Sequence, residues 1–397
     1  MNSEQYQLPA GWVRLKSRRE VSVQRGHPWV FSGAIQASSP GLVAGSVVRI
    51  EQNDGRCLGV GLYGTGSIAV KLLAFRDVPI DEALFGEKFG RALAVRRALG
   101  LWGSPHTTGF RLVHAEGDGL PGVIVDWYAG AAVVQLQTEG LVPFTGAIAS
   151  ALRQVLGDRL QDLCVVSTDA AGVEHRTMVV GDRKSGDFME NDAWYRAHWM
   201  TGQKTGFFLD QRENRLAIRS LMPTSGTMLN LFCYTGGFSI AGLKGGASRV
   251  VSVDSSEIAL EQFQEHLQLN GFSANSAPAV RADCFDYLDS DTDLYDVVVC
   301  DPPAFAKHQK AVDRALRGYR RANAAALRRV KAGGLFATFS CSQAVSIDAF
   351  RSVVQAAFDD VGRRGRIIKN CSQAPCHPVA ISHPEGEYLK GLCIIVD

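Results

Sequence analysis

Met228-Leu-Asn-Leu-Phe-Cys-Tyr-Thr-Gly-Gly-Phe-Ser239 decides the fold. Met228 to Phe232 is a short apolar run of the kind that forms a strand covered on both faces. Cys233-Tyr234-Thr235-Gly236-Gly237-Phe238-Ser239 is the loop after it, and Gly236 to Leu243 predicts the start of a helix. The alternation continues outward from there. Arg249 to Val253 reads as a second strand, Glu257 to Leu269 as a helix, Val280 to Ala282 as a short third strand and Tyr295 to Cys300 as a fourth. Asp313 to Val330 predicts a helix, Gly334 to Phe339 a fifth strand and Ile347 to Phe358 another helix. Arg366 to Lys369 and Gly391 to Val396 close the chain. Repeated strand–helix units of this length predict an α/β, doubly wound, mostly parallel sheet.

This pattern occupies only the second half of 397 residues, so further domains are expected. Residues 1–75 read as small and β-rich, with short runs such as Ser46 to Ile50 and Ser67 to Leu73 broken by turn residues. Residues 76–190 read as an α+β middle domain, with a helix over Asp81 to Leu101. Strands there fall at Arg111 to His114, Val123 to Asp126 and Ala132 to Gln137, and a second helix at Phe144 to Leu156. Gly117 to Gly122 is a turn by composition, although His114, Glu116 and Asp118 beside it are also candidate site residues. Residues 191–397 form the third domain, reached through a polar hairpin near Gly181 to Asn191.

Hydrophobic residues at 46% and charged residues at 21% exclude a disordered or fibrous chain. Forty-two basic against forty acidic residues leave a net charge of +2, so only the distribution of charge can mark a nucleic-acid binder. No apolar run approaches the ~20 residues of a membrane helix. The polar stretch Met1 to Ala10 predicts no signal peptide. Nine scattered cysteines predict reduced thiols in a cytoplasmic protein.

Charge is uneven along the chain. Arg14, Lys16, Arg18, Arg19, Arg25, Arg49, Arg56 and Lys71 stand against Glu4, Glu20, Glu51 and Asp54 in the first domain. Trp29 and Phe31 add aromatics beside that cluster. Basic residues interleaved with aromatics suit phosphate contact and base stacking; a solvated face over a buried Trp accounts for the same residues. A second basic run, Lys307, Lys310, Arg314, Arg317, Arg320, Arg321, Arg328, Arg329 and Lys331, surrounds Asp313 after the fourth strand. It reads as a phosphate-contacting face or a solvated one.

In doubly wound sheets ligands bind beyond the carboxyl ends of the strands, at the switch point. The loop there lacks the G-x-G-x-x-G that cradles a dinucleotide pyrophosphate, yet Gly236 allows a ligand to approach the backbone. Asp254 ends the second strand, where a carboxylate suits a ribose diol. Asp283 follows the third, where one can accept from an adenine amine. Nucleoside recognition without a phosphate cradle points to S-adenosylmethionine. Asp301-Pro302-Pro303-Ala304-Phe305 ends the fourth strand; two prolines turn the chain outward and leave Asp301 at the mouth of the sheet. Such a place can hold the polar edge of a flipped base, with Phe305 stacked on it. Cys341, in Ser340-Cys341-Ser342, ends the fifth strand at the same edge, where a thiol can attack a pyrimidine ring. Cys371, Cys376, His377 and His383 fit no zinc spacing, and no metal is expected.

Gln203 to Arg212, Asn230 to Ser239, Asp301 to Phe305 and Ser340 to Ser342 together resemble the RlmI-type methyltransferases of large-subunit ribosomal RNA. His27 to Ile35 is similar to their N-terminal RNA-binding PUA domain. Arg111 to His114 with Gly119 to Gly122 resembles their middle domain, and Pro384 to Lys390 their C-terminal stretch. The resemblance spans essentially the whole chain. It implies a class I (Rossmann-like) methyltransferase sheet, an N-terminal β-barrel PUA domain and an α+β middle domain. The implied cofactor is S-adenosylmethionine and the implied reaction is C5 methylation of a cytosine in 23S rRNA. The substrate would be 23S rRNA or a large-subunit assembly intermediate, and the protein a possible homodimer. Cys341 and Asp301 would be catalytic. Phe232, Tyr234, Gly236, Phe238, Asp254, Asp283 and Gln211 would bind cofactor. Pro302, Pro303, Phe305, Arg18, Arg19, Arg25 and Trp29 would bind substrate. One departure stands out: many RNA cytosine-C5 methyltransferases carry a Pro-Cys at strand four, and here Pro302 is followed by Pro303 and Ala304. Two rivals are an rRNA methyltransferase acting on a guanine or adenine nitrogen, which needs no nucleophilic cysteine, and a non-catalytic RNA-binding protein with a methyltransferase fold.

Overall fold

The structure is a computed structural model that describes residues 9–169, 171–202, 205–305 and 312–397. Gln203 and Lys204 of the motif before Arg212, and Lys307 and Lys310 of the basic run, lie outside the described residues, as does Glu4. The chain forms two compact units. The first runs through Phe188 and takes in Ala197–Phe207 and Pro375–Gly386; the second comprises Met189–Arg196, Phe208–Ala374 and Glu387–Asp397. Pro375–Gly386 therefore belongs with the N-terminal unit, which a single boundary near residue 190 did not anticipate. Among the described residues no helix is long and apolar enough to cross a membrane.

The first unit holds two sheets. A six-stranded sheet runs in the order Trp29–Phe31, Ile68–Ala74, Cys57–Tyr63, Val47–Glu51, Gly11–Leu15, Ile35–Ser38. Val13, Leu15, Val30, Ile50, Val70 and Leu72 form its core. A five-stranded sheet contains Gly109–His114, Val123–Tyr128 and Ala131–Leu136, as expected, and two further strands, Asp162–Thr168 and Glu174–Val180. Glu174–Val180 is an edge strand that is largely exposed, so its sequence, Glu-His-Arg-Thr-Met-Val-Val, carries little apolar signal. The helix Glu82–Ala98 is capped by Asp81, whose side chain accepts from Leu84 N–H.

Arg96, fully buried on that helix, shows why Gly117 to Gly122 is a structural turn. Its guanidinium meets both oxygens of Asp118, with Nη2 2.8 Å from Oδ2. It also donates to the carbonyls of Arg111 at 2.8 Å and Cys376 at 2.7 Å. Asp118 accepts from His114 N–H at 2.6 Å, and Glu116 accepts from Trp29 Nε1 at 2.9 Å. Burial, with the nearby charges of Arg111 and Arg96, pushes the His114 imidazole down to about 2, so it is neutral.

The second unit is a seven-stranded sheet with β1 Thr227–Leu231, β2 Arg249–Asp254, β3 Ala279–Arg281, β4 Tyr295–Cys300, β5 Val330–Ser340, β6 Gly365–Ser372 and β7 Lys390–Val396. Their order is β3-β2-β1-β4-β5-β7-β6. β7 enters antiparallel between β5 and β6, while β1 to β5 are parallel to one another. The helices are α1 Arg212–Leu221, α2 Gly237–Lys244, α3 Glu257–Leu269, α4 Cys284–Ser290, α5 Val312–Leu327 and α6 Ile347–Val361. Val297, Val298 and Val299 are all fully buried, which is why β4 reads as a continuous apolar run rather than an alternating one. β5 begins earlier than expected, because Val330 already pairs with Tyr295, and α5 ends at Leu327 to make room. The reversal of strand order at β1 and β4 opens the crevice in which such sheets bind ligands.

Replacing Arg96 with Met would leave the Asp118 carboxylate buried without its cation. Chemical denaturation should show the N-terminal unit weakened by about 3–5 kcal/mol; a loss under about 1 kcal/mol would remove the pair from its structural role.

Candidate functional site

One half of the site is the turn from β1 to α2. Phe232 and Tyr234 both adopt left-handed backbones, with φ of 57° and 49°, and Gly236 follows at 73°. Non-glycine residues in that region store strain, which collects at ligand clamps. Three hydrogen bonds tie the turn to β2 and α4. Cys233 N–H donates to Val253 O at 3.0 Å, Phe232 N–H to Cys284 Sγ at 3.2 Å and Tyr234 N–H to Asp254 Oδ2 at 2.8 Å. A Cβ on Gly236 would stand 2.0 Å from the Phe263 ring, so no other residue fits there. Beneath, Asn230 Nδ2 donates to Ser239 Oγ at 2.8 Å, and Ser239 Oγ lies 2.7 Å from Ser252 Oγ.

Asp254 accepts Tyr234 N–H on one oxygen and Ser256 N–H, at 2.9 Å, on the other. A carboxylate offers about four acceptor positions, so two remain for a vicinal diol. Asp283 is exposed and caps α4 through Oδ1, which accepts Phe285 N–H at 2.8 Å. The two carboxylates follow adjacent strands beside a turn whose backbone is open at Gly236. That arrangement fits the nucleoside end of S-adenosylmethionine. The Tyr234 ring sits edge-on to Phe208 at 5.0 Å, and half-buried Phe232 edge-on to Phe285. Phe238 is buried and stacked on Phe339 at 5.2 Å.

The other half lies where β4 and β5 end. Cys300 pairs with Thr338, so Asp301 and Cys341 leave neighbouring strands at the same edge. Gln211, expected to bind cofactor, donates through Nε2 to Asp301 Oδ2 at 2.9 Å. Its Oε1 accepts from Asn214 Nδ2 at 2.6 Å, and Asn214 also donates to Ser372 O at 3.0 Å. This chain of donors fixes which way the Gln211 amide points and so orients Asp301. Pro302 is buried and Pro303 exposed. Phe305, expected to stack on a base, is half-buried with its ring edge-on to Tyr319 at 4.8 Å.

Seven of the nine cysteines are buried; only Cys57 and Cys341 are partly exposed. Burial pushes the thiols of Cys233 and Cys300 well above the usual range and that of Cys284 up to about 12. Cys57 lies in the N-terminal sheet, donates to Gly59 O at 3.5 Å and is also raised by burial. Cys341 is thus the one cysteine of the second unit that a substrate can reach. The chain around it is pinned: Tyr319 Oη lies 2.8 Å from Ser342 Oγ, and Ser342 N–H donates to Ser340 Oγ at 3.3 Å.

In the first unit, Arg18, Arg19 and Arg25 are exposed, and Arg19, Ser22, Trp29 and Phe31 border a cleft of about 350 Å³. Trp29 is held from behind by Glu116 and by His383, whose ring is 4.3 Å away. Along α5 the basic run divides. Arg320 pairs with Asp360 at 2.7 Å, Arg329 donates to Leu288 O, Lys331 pairs with Asp296 and Arg321 lies 4.3 Å over the Phe285 ring. Arg314, Arg317 and Arg328 remain exposed. The cysteine and histidine set near the C-terminus divides as well. Cys371 faces Cys393 with 3.6 Å between sulfurs, whereas His383 joins His27 and Glu385 in the first unit.

A family model described as an S-adenosylmethionine-dependent methyltransferase matches residues 111–350, and one described as a PUA-like domain matches residues 13–75. The chain belongs to this methyltransferase family. Its cofactor is S-adenosylmethionine. A Shewanella amazonensis protein named ribosomal RNA large subunit methyltransferase I is 36% identical over 96% of this chain and 98% of its own length. One of the same name from Alteromonas mediterranea is 36% identical over 97% of this chain and 99% of its own length. Among solved structures, a methyltransferase complexed with SAH has a TM-score of 0.84 at 22% identity, covering 96% of this chain and 99% of its own. A SAM-dependent methyltransferase from Streptococcus mutans scores 0.83 at 22% identity with the same coverage. At that identity the likeness is one of fold.

With Asp254 on the ribose diol, Asp254→Ala would remove one or two charge-assisted hydrogen bonds to the cofactor, each worth ~1.5–3 kcal/mol. Calorimetry should show S-adenosylmethionine binding weakened by that amount. Unchanged affinity in a folded variant would take Asp254 out of the site.

Proposed function

We propose that this methyltransferase transfers a methyl group to C5 of a cytosine in 23S rRNA, with Cys341 as the nucleophile. The observation that carries the reading is the place of Cys341: the accessible thiol of the catalytic unit, at the same sheet edge as Asp301. The relatives' names supply the RNA class, and the PUA-like domain with its exposed arginines and aromatic cleft supplies a surface for phosphates and bases.

Bound S-adenosylmethionine supplies an electrophilic methyl group on a sulfonium. Cytosine C5 is a poor nucleophile until a thiolate adds to C6. Cys341 Sγ forms the bond to C6, and the electron pair of the C5–C6 double bond moves to C5. Asp301, steadied by Gln211, takes up a proton from solvent as the base binds, accepts from the N4 amine on one oxygen and donates that proton toward N3 from the other, where charge gathers during the addition; the proton returns to it when the double bond re-forms. C5 takes the methyl group. The C5 proton then leaves to a base, its electron pair restores the double bond, and Cys341 departs as thiolate. Pro302 and Pro303 give the Asp301 loop a fixed exit from β4, so the carboxylate need not be reordered when the base arrives.

Fluorine at C5 cannot leave as a proton. RNA containing 5-fluorocytosine should therefore stay attached after methyl transfer, as an adduct that survives denaturant. The adduct should form with the parent enzyme, map to Cys341 by mass spectrometry and be absent from Cys341→Ala. Full turnover by Cys341→Ala would contradict the reading and favour methylation at a nitrogen, the chemistry for which an Asp-Pro-Pro followed by an aromatic also suits.

A further inference from the structure

A thiol attacks as thiolate, and the ordinary thiol pKa of ~8.5 leaves little of that form at neutral pH. We propose that Lys390 is the positioning residue that holds a cationic charge against Cys341 and keeps its sulfur in the attacking form. This rests on Cys341 being the nucleophile.

Lys390 opens β7 and pairs across the ladder with Ser340, the residue before Cys341. Its Nζ donates to the carbonyl of Ser342, the residue after Cys341, at 2.7 Å, and to the carbonyl of Val345. Cys341 is thus bracketed on both sides by contacts to one lysine. The lysine is only 7% exposed. Both of these acceptors are neutral carbonyls, which solvate an ammonium without cancelling its charge. A buried charge is costly unless a counter-charge meets it. Burial pulls Lys390 below the usual lysine range, and the negative charges that pull it back are those of Cys341 and then Glu387. Glu387 is exposed and screened by water, which leaves an ionised Cys341 as the buried group that would answer the charge of Lys390.

Two further groups bear on the charge at Cys341. Tyr319 on α5 reaches Ser342, and burial raises its phenol, so it is neutral and adds no positive charge. Asp301, at the end of the neighbouring β4, contributes a carboxylate that disfavours a second anion. Lys390 offsets it. The lysine touches neither base nor cofactor in this account; it acts through the sulfur.

The test is alkylation of Cys341 by iodoacetamide in the full-length protein, followed by peptide mass spectrometry as a function of pH. Lys390→Gln keeps a donor for the two carbonyls and drops the charge; Lys390→Arg keeps the charge. At about pH 7 the Gln variant should alkylate at Cys341 about tenfold or more slowly, with its pH midpoint moved up, as expected for a shift of about one pKa unit or more. The Arg variant should stay within about threefold of the parent. A Gln variant that folds, binds S-adenosylmethionine normally and keeps the parental pH profile would overturn the proposal. Alkylation reports the thiolate whether or not it attacks RNA. A Lys390-dependent profile without any 5-fluorocytosine adduct would therefore leave the ion pair standing and retire only the nucleophile.

Discussion

The contact between Gly236 and the Phe263 ring is the constraint on which the cofactor half of the site depends. The ring lies where a side chain at 236 would be. The turn after β1 is therefore pressed against α3 with bare backbone, and the left-handed conformations of Phe232 and Tyr234 bring the chain into that position. Strained backbone persists only where its surroundings over-determine it. Here the surroundings are three hydrogen bonds to β2 and its neighbours and the buried Asn230–Ser239–Ser252 chain. The same bond from Tyr234 that fixes the turn also fixes Asp254, so the rigidity of the turn and the aim of the carboxylate are one feature.

The half proposed to handle the base is built on a different device. Side chains from distant parts of the sequence arrive at the ends of β4, β5 and β7, and hydrogen bonds to amides and carbonyls orient them. Gln211 carries the link from Asn214 and Ser372 to Asp301. Tyr388 reinforces the approach to α1 by donating to Asp210 at 2.6 Å. Lys390 completes the set from the strand that runs against the others. The antiparallel insertion of β7 between β5 and β6 thus has a chemical consequence: it brings a residue from the start of β7 level with the end of β5, where Cys341 is.

Much of this was legible in the sequence because the relevant signals are local. An apolar run such as Tyr295 to Cys300 specifies a buried strand by itself, and Asp301-Pro302-Pro303 specifies an abrupt exit. Gly236, Asp254 and Asp283 stand out locally because each lies at or within a few residues of a strand's carboxyl end. Long-range relations left no such trace. Nothing local to Gln211 shows that its amide faces Asp301, ninety residues on, and a lone lysine after Tyr388-Leu389 resembles any surface lysine until its burial is known. The burial of Phe238 is likewise invisible locally, because the Phe339 ring that stacks on it comes from a strand a hundred residues on. Pro375–Gly386 joined the N-terminal unit through contacts such as Arg96 to Cys376, to which sequence order is blind.

The most direct test of the account is the identity of the methylated nucleoside. Large-subunit rRNA from a strain lacking the protein would be incubated with the purified enzyme and methyl-labelled S-adenosylmethionine, digested and analysed by mass spectrometry. The account predicts label in 5-methylcytidine at a defined position. Label in an N-methylated guanosine or adenosine, with none in 5-methylcytidine, would contradict it.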